Sequence, residues 1–165
     1  MDIQKIGIIG AGQMGNGIAH VMSLAGYDVL LNDVNEDALA QAMARIDKNM
    51  ERQVSREKIS AENKAAAIGR IITTSALPDL GQTDLVIEAA TEKEVVKQAI
   101  FDSLLPHLQP HTILTSNTSS ISLNPLASST APPDTFIRVS CMTPGAVLHR
   151  VALILAVAPG ADTYA

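Results

Sequence analysis

The sequence predicts an α/β fold: a single domain built on a doubly wound, mostly parallel sheet. Three observations carry that expectation. Short apolar runs of strand type recur between stretches of helical periodicity. The first such run, residues 6–9, leads straight into Gly10-x-Gly12-x-x-Gly15, and a helical pattern opens there. An acid, Asp33, closes the second apolar run, 23 positions after Gly10.

Glycine triplets of this kind are common and weakly informative alone. A strand before it, a helix after it and an acid at that distance make this one a Rossmann-type dinucleotide-binding fingerprint. Gly10 permits the tight turn. Gly12 has no Cβ, so the backbone can approach a pyrophosphate. Gly15 lets the helix pack close to its strand. Free N–H groups of the first helical turn, at Gln13 and Met14, then face the anion. Asp33 accepts hydrogen bonds from the adenosine ribose hydroxyls and would repel a 2′-phosphate. NAD is therefore the expected cofactor rather than NADP.

Residues 3–32 read as strand, phosphate turn, helix and strand. The helix carries Ile18, Ala19, Val21, Met22, Leu24 and Ala25 on or near one face. Asn35 reads as a helix N-cap with Glu36 and Asp37 in the first turn. A polar helix runs from there to about residue 52 and is broken over residues 54–57. Ser60 caps a shorter helix through Ile68. Residues 36–69 thus form a helical excursion between strands, with no domain boundary in it. Strands follow at 71–74 and 84–88, separated by a turn at residues 79–81. Residues 92–105 have helical spacing with Val95, Val96, Ala99, Ile100 and Leu104 apolar, and Pro106 and Pro110 bracket the end. A strand at 112–115 ends in Ser116-Asn117-Thr118-Ser119-Ser120. That cluster is either a ligand-binding edge or an ordinary Ser/Thr turn. A short helix at 121–127, a turn at 132–134, a strand at 136–139 and an apolar last strand at 151–158 complete the expectation.

Composition narrows the function. With 165 residues and 47% apolar content the chain can bury a real core. Aromatics are only 2%, so the core must be aliphatic. Net charge is −5 and the basic residues form no block, which argues against nucleic acid as a partner. Arg52, Arg56 and Lys58 make one modest cluster, readable as solvated helix ends or as a contact for substrate phosphate. One cysteine, Cys141, allows no intrachain disulfide and fits a reducing cytoplasm. There is no signal-peptide pattern, and no apolar stretch long enough to span a bilayer. His20, His107 and His111 lack ligand spacing, so no metal is expected.

Four motifs in order carry a resemblance: residues 8–15, Glu88-Ala89-Ala90-Thr91-Glu92, residues 116–120 and Phe136-Ile137. Together they resemble the NAD-binding domain of 3-hydroxyacyl-CoA dehydrogenases, including bacterial 3-hydroxybutyryl-CoA dehydrogenases. The resemblance covers essentially the whole chain. It implies cofactor contacts at Ala90, Glu92, Lys97, Asn117 and Thr143, and places Ser119 beside both nicotinamide and substrate as a catalytic residue. The implied reaction, in fatty acid metabolism, is hydride transfer between NAD and the C3 hydroxyl of an acyl-CoA substrate.

The family's catalytic base is missing. Ser140 stands where the family has histidine, Thr143 where it has asparagine, and Ala152, twelve positions after Ser140, where it has the partner glutamate. A serine hydroxyl is no base near neutral pH unless another base activates it. His149 lies nine positions from the missing histidine and reads as a surface or strand-end residue. The departures cluster over residues 138–159. Residues 161–165 resemble the start of a linker to a helical second domain. Residues 1–165 are thus expected to be the NAD-binding domain alone, without the domain that closes over the acyl chain and makes the family's self-association interface. By family the chain is an oxidoreductase; alone it is expected to turn over little or nothing. An alternative is a non-catalytic NAD-binding sensor or assembly module. A third reading, a Rossmann dehydrogenase of hydroxy acids, is weakened by the cluster at 116–120. No membrane partner is expected.

Overall fold

A computed structural model describes residues 3–117, 136–141 and 151–153. The strands are β1 (Lys5–Ile9), β2 (Asp28–Asn32), β3 (Ile71–Thr74), β4 (Leu85–Glu88), β5 (Ile113–Ser116), β6 (Phe136–Cys141) and β7 (Val151–Leu153). The helices are α1 (Gln13–Leu24), α2 (Glu36–Ser55), α3 (Ala61–Gly69) and α4 (Glu94–Leu104). The expected turn at residues 79–81 lies inside a short 3-10 helix, Leu77–Gln82. The expected helix at 121–127, the turn at 132–134 and residues 154–158 of the last strand lie outside the described residues.

The sheet has seven strands in the order β3-β2-β1-β4-β5-β6-β7. Every pair through β6 is parallel, and β7 alone is antiparallel to its neighbour. The chain starts in the middle, winds outward through β2 and β3, then crosses back to place β4 on the other side of β1. The order therefore reverses between β1 and β4, and a crevice opens at the carboxyl ends of those two strands. This is the doubly wound, mostly parallel sheet that the sequence predicts.

Alternation along the central strands divides the core between two faces. On β1, Ile6 and Ile8 point to the side of α1, α2 and α3, while Ile9 joins Leu80, Val86, Phe101, Leu104 and Leu114 on the side of α4. Leu39, Ala42, Ile46 and Met50 form the buried stripe of α2 at helical spacing. That stripe carries α2 to Ser55, three residues past its expected end. Glu57 then adopts a left-handed φ of 55° and closes the helix, with the Lys58 amide donating to the Gln53 carbonyl at 2.8 Å. The predicted caps are in place. Asn35 accepts from the amides of Asp37 and Ala38, and Ser60 from that of Asn63.

The apolar face expected for α4 differs. Val95 is 81% exposed and Val96 43%. The buried side is Lys97, Phe101 and Leu104, and the helix starts at Glu94 rather than Glu92. Of the apolar residues expected there, Leu104 and Ile100 pack on the core, while Val95 and Val96 face outward and Lys97 and Phe101 are buried instead. No helix among the described residues is long and apolar enough to cross a membrane.

At the opposite end of the sheet, Asp84 clamps β1 to β4. Its Oδ2 accepts from the amides of Lys5 at 2.9 Å and Gln4 at 3.0 Å. Its own amide donates to the Lys5 carbonyl. These bonds, first from Lys5 and then from Gln4, hold the carboxyl below the usual carboxylate range. A depressed folded-state pKa stabilises the fold above the unfolded value and loses that contribution as pH falls through the folded one. Urea melts of Asp84→Asn should therefore depend less steeply on pH than the parent below about pH 4. Identical slopes would exclude the clamp as an acid-sensitive contact.

Candidate functional site

The crevice between β1 and β4 is shaped by three glycines with different surroundings. Gly10 has a left-handed φ of 100°. A Cβ there would lie 2.7 Å from the Ala89 carbonyl oxygen and from the Ala90 Cα. Its amide donates to the Asn32 carbonyl at 2.8 Å, so the loop threads between the ends of β2 and β4. A Cβ on Gly15 would fall 1.6 Å from the Gly10 carbonyl oxygen, so α1 rests on its own strand. Gly12 is exposed, and a Cβ there would meet none of the described residues within 4 Å. One glycine makes the turn, one the helix packing, and one keeps its outer side open.

Gly12 is also the N-cap of α1. Among the described residues no side chain caps that helix start, and its first turn holds no acid. A helix start without a capping side chain or an acid leaves its first-turn amides available, an arrangement that favours an anion. The start of α2 is different, being capped by Asn35 with two acids in its first turn.

Asp33, half-buried at the end of β2, does more than the sequence reading gives it. Its Oδ2 accepts from the Ala11 amide at 2.8 Å and its Oδ1 from the Asn35 amide at 2.9 Å. The carboxylate thus braces the glycine loop against the start of α2. Each oxygen keeps acceptor capacity for a ribose hydroxyl. Val34 beside it is 90% exposed.

On the other side of the crevice lies a buried polar group that the sequence reading leaves unassembled. Glu88, Lys97 and Ser116 are all fully buried. The Lys97 ammonium pairs with Glu88 Oε2 and also donates to Ser116 Oγ at 3.3 Å. The Ser116 hydroxyl donates to Glu88 Oε2 at 2.7 Å. Glu88 Oε1 accepts from the amides of Ala90 at 2.8 Å and Thr91 at 3.4 Å. Lys97, which the resemblance expects to contact the cofactor, is thus fully buried with its charge already engaged. Two signals in the sequence point here: an acid closing an otherwise apolar strand, and a lysine one and two helical turns ahead of Phe101 and Leu104.

Ala90 and Glu92 are exposed on the loop between β4 and α4, and Asn117 is half-buried at the end of β5, its amide donating to the Glu88 carbonyl at 2.8 Å. Ser119 and Thr143 lie outside the described residues, as does His149. Ser140 and Ala152 are register partners across β6 and β7. Arg52, Arg56 and Lys58 are exposed around the C-terminal end of α2. Among the described residues no group of three or more His, Cys, Asp or Glu could hold a metal ion.

Sheet order, glycine loop and acid together define a dinucleotide-binding Rossmann domain. Residues 5–163 match the family model described as 3-hydroxyacyl-CoA dehydrogenase, NAD binding domain. The chain belongs to that family, and its cofactor is NAD. It is 49% identical over 162 residues to a 3-hydroxybutyryl-CoA dehydrogenase of Bradyrhizobium diazoefficiens, covering 98% of this chain and 55% of the relative. It is 32% identical to a fatty acid oxidation complex subunit alpha of Pseudomonas savastanoi pv. phaseolicola, covering 93% of this chain and 21% of the relative. Among solved structures it is similar to (S)-3-hydroxybutyryl-CoA dehydrogenase from Ralstonia eutropha, with a TM-score of 0.83, 37% identity, and coverage of 86% of this chain and 50% of that one. The chain spans about half the length of the first of these relatives.

The glycine geometry separates binding from folding. Gly12→Val should cost no more than about 1 kcal/mol of stability, the usual worth of an N-cap, yet abolish NADH binding. Gly15→Ala should lose about 1–3 kcal/mol or more, because Gly10 must move. Melting curves and NADH titrations of both variants check this; an unaltered affinity in Gly12→Val would move the cofactor elsewhere. Lys97→Met strands the Glu88 charge and should cost about 3–5 kcal/mol.

Proposed function

We propose that this chain is the cofactor half of an enzyme that transfers hydride between NAD and the C3 hydroxyl of an acyl-CoA in fatty acid metabolism. The observation that carries the reading is the open cradle over Gly12, flanked by Asp33 on one side and by the carboxyl ends of β4 and β5 on the other. In this reading the first-turn amides at Gln13 and Met14 hold the pyrophosphate, with Gly10, Gly12 and Gly15 shaping the loop. Asp33 takes the adenosine ribose, and exposed Val34 gives the adenine an apolar surface. Ala90, Glu92 and Asn117 border the other nucleotide half. Ser119 and Thr143 are carried as further contacts, Ser119 beside the substrate. Hydride acceptance is the chemistry NAD supplies when bound there.

The proton of the C3 hydroxyl needs a base, and the chain offers none at the family's position. Ser140 and Ala152, the register partners of β6 and β7, stand where the resemblance expects histidine and its glutamate. A positioned base is worth about 10²–10⁴ in rate. The chain alone should therefore bind cofactor and show little turnover. The same pair of residues favours a second reading, an NAD-binding sensor or assembly module without chemistry. Substrate positioning and self-association belong, on this proposal, to the full-length family arrangement. The single cysteine supports a reducing cytoplasm as its compartment.

Calorimetric titration should show NADH bound at least about tenfold more tightly than NADPH, since Asp33 faces the 2′ position; the reverse order would remove Asp33 from the ribose site. With NADH saturating, acetoacetyl-CoA should cause no measurable loss of NADH absorbance. Ser140→His combined with Ala152→Glu should recover little until a helical second domain is also supplied. Robust turnover by the unaltered chain would show that another base reaches the nicotinamide and would end the sensor reading. Failure to bind either cofactor would overturn both readings.

A further inference from the structure

We propose that Glu88 is a positioning residue for the nicotinamide half of the cofactor, acting through Lys97, Ser116 and the turn at Ala90 and Thr91. The inference rests on the NAD-binding reading above.

Glu88 ends β4 at the switch point, and its carboxylate is fully used. One oxygen holds the amides of Ala90 and Thr91; the other holds the Lys97 ammonium and the Ser116 hydroxyl. Its backbone carbonyl takes the Asn117 amide at 2.8 Å. One side chain thus ties together the turn after β4, the buried face of α4 and the end of β5. The turn itself lies against the glycine loop, because the Ala89 carbonyl and the Ala90 Cα occupy the space a Cβ on Gly10 would need. The Ala89 amide donates back to the Ile9 carbonyl at 2.8 Å.

The placement is one-sided. In a doubly wound sheet the two nucleotide halves bind on the two sides of the switch point. Asp33 and β2 border the adenosine side. The Glu88 group reaches β4, β5 and α4, all on the other side. None of its three side chains is exposed, so none is a surface contact. What they fix is the backbone of residues 89–91 and 116–117, which walls the nicotinamide side. An ion pair is suited to this. Its bonds are directional, and the buried charges have no alternative partner in water.

The variant Glu88→Leu with Lys97→Met removes both charges while keeping apolar volume, so no uncompensated charge is left behind. Ser116→Ala removes a single hydroxyl and is the milder second variant. Each is titrated with NADH and with ADP-ribose, which lacks the nicotinamide. The parent chain should bind NADH more tightly than ADP-ribose. Both variants should hold ADP-ribose within about twofold of the parent and bind NADH about tenfold more weakly or worse. The emission of bound NADH should move towards that of free NADH. A merely structural role would lower both affinities together. An equal fall, or no fall in NADH affinity, overturns the proposal. So does a parent that does not distinguish NADH from ADP-ribose. A parent that binds neither ligand overturns the NAD-binding reading itself, which is a separate outcome. If the double variant fails to fold, Ser116→Ala decides the matter.

Discussion

The crossing of the Gly10 carbonyl beneath Gly15 is the constraint on which the site depends. A Cβ at Gly15 would sit 1.6 Å from that oxygen, so only glycine lets α1 start where it does. The start of α1 fixes where its free amides point. Gly10 in turn lies against the turn after β4, with its left-handed φ leaving no easy substitute. The two contacts bring β1, α1 and β4 together within one loop. The open position over Gly12 is what remains.

Two carboxylates border that opening, and each braces one of its walls. Asp33 braces the glycine loop through the amides of Ala11 and Asn35. Glu88 braces the opposite wall through Ala90, Thr91, Lys97 and Ser116. The difference between them is solvent. Asp33 is half-buried and keeps lone pairs for a ligand, whereas Glu88 is sealed beneath the surface and completely occupied. Among the described residues every buried side-chain nitrogen and oxygen has a hydrogen-bond partner. Burial of a lysine in this core is tolerable for that reason.

Two positions that the resemblance expects to carry the family's base and its partner also meet at one place. Ser140 and Ala152 are twelve positions apart in the chain but opposite each other in the register of β6 and β7. In sequence they fall within the cluster of departures over residues 138–159; in the fold their backbones lie side by side on adjacent strands. The glycine loop and Asp33 at β1 and β2, and the Glu88 group at β4, are separate from that pair. The sheet order explains the separation, since β6 and β7 lie beyond β5, away from the glycine loop.

The sequence by itself determined the strands, the glycine turn from β1 into α1 and the caps at Asn35 and Ser60. Each depends on near neighbours: a strand's apolar run, a glycine's missing Cβ, a side chain reaching an amide two or three residues on. For α4 apolar periodicity placed Leu104 and Ile100 correctly but also chose Val95 and Val96 and passed over Lys97. Only the tertiary structure decided that face. The partners that make a buried lysine acceptable come from β4 and from the end of β5, 9 and 19 positions away. The bracing of the glycine loop by Asp33 and the register that sets Ser140 opposite Ala152 were settled in the same way. Each depends on distant segments being brought together by sheet order, and no local pattern in the chain encodes that distance.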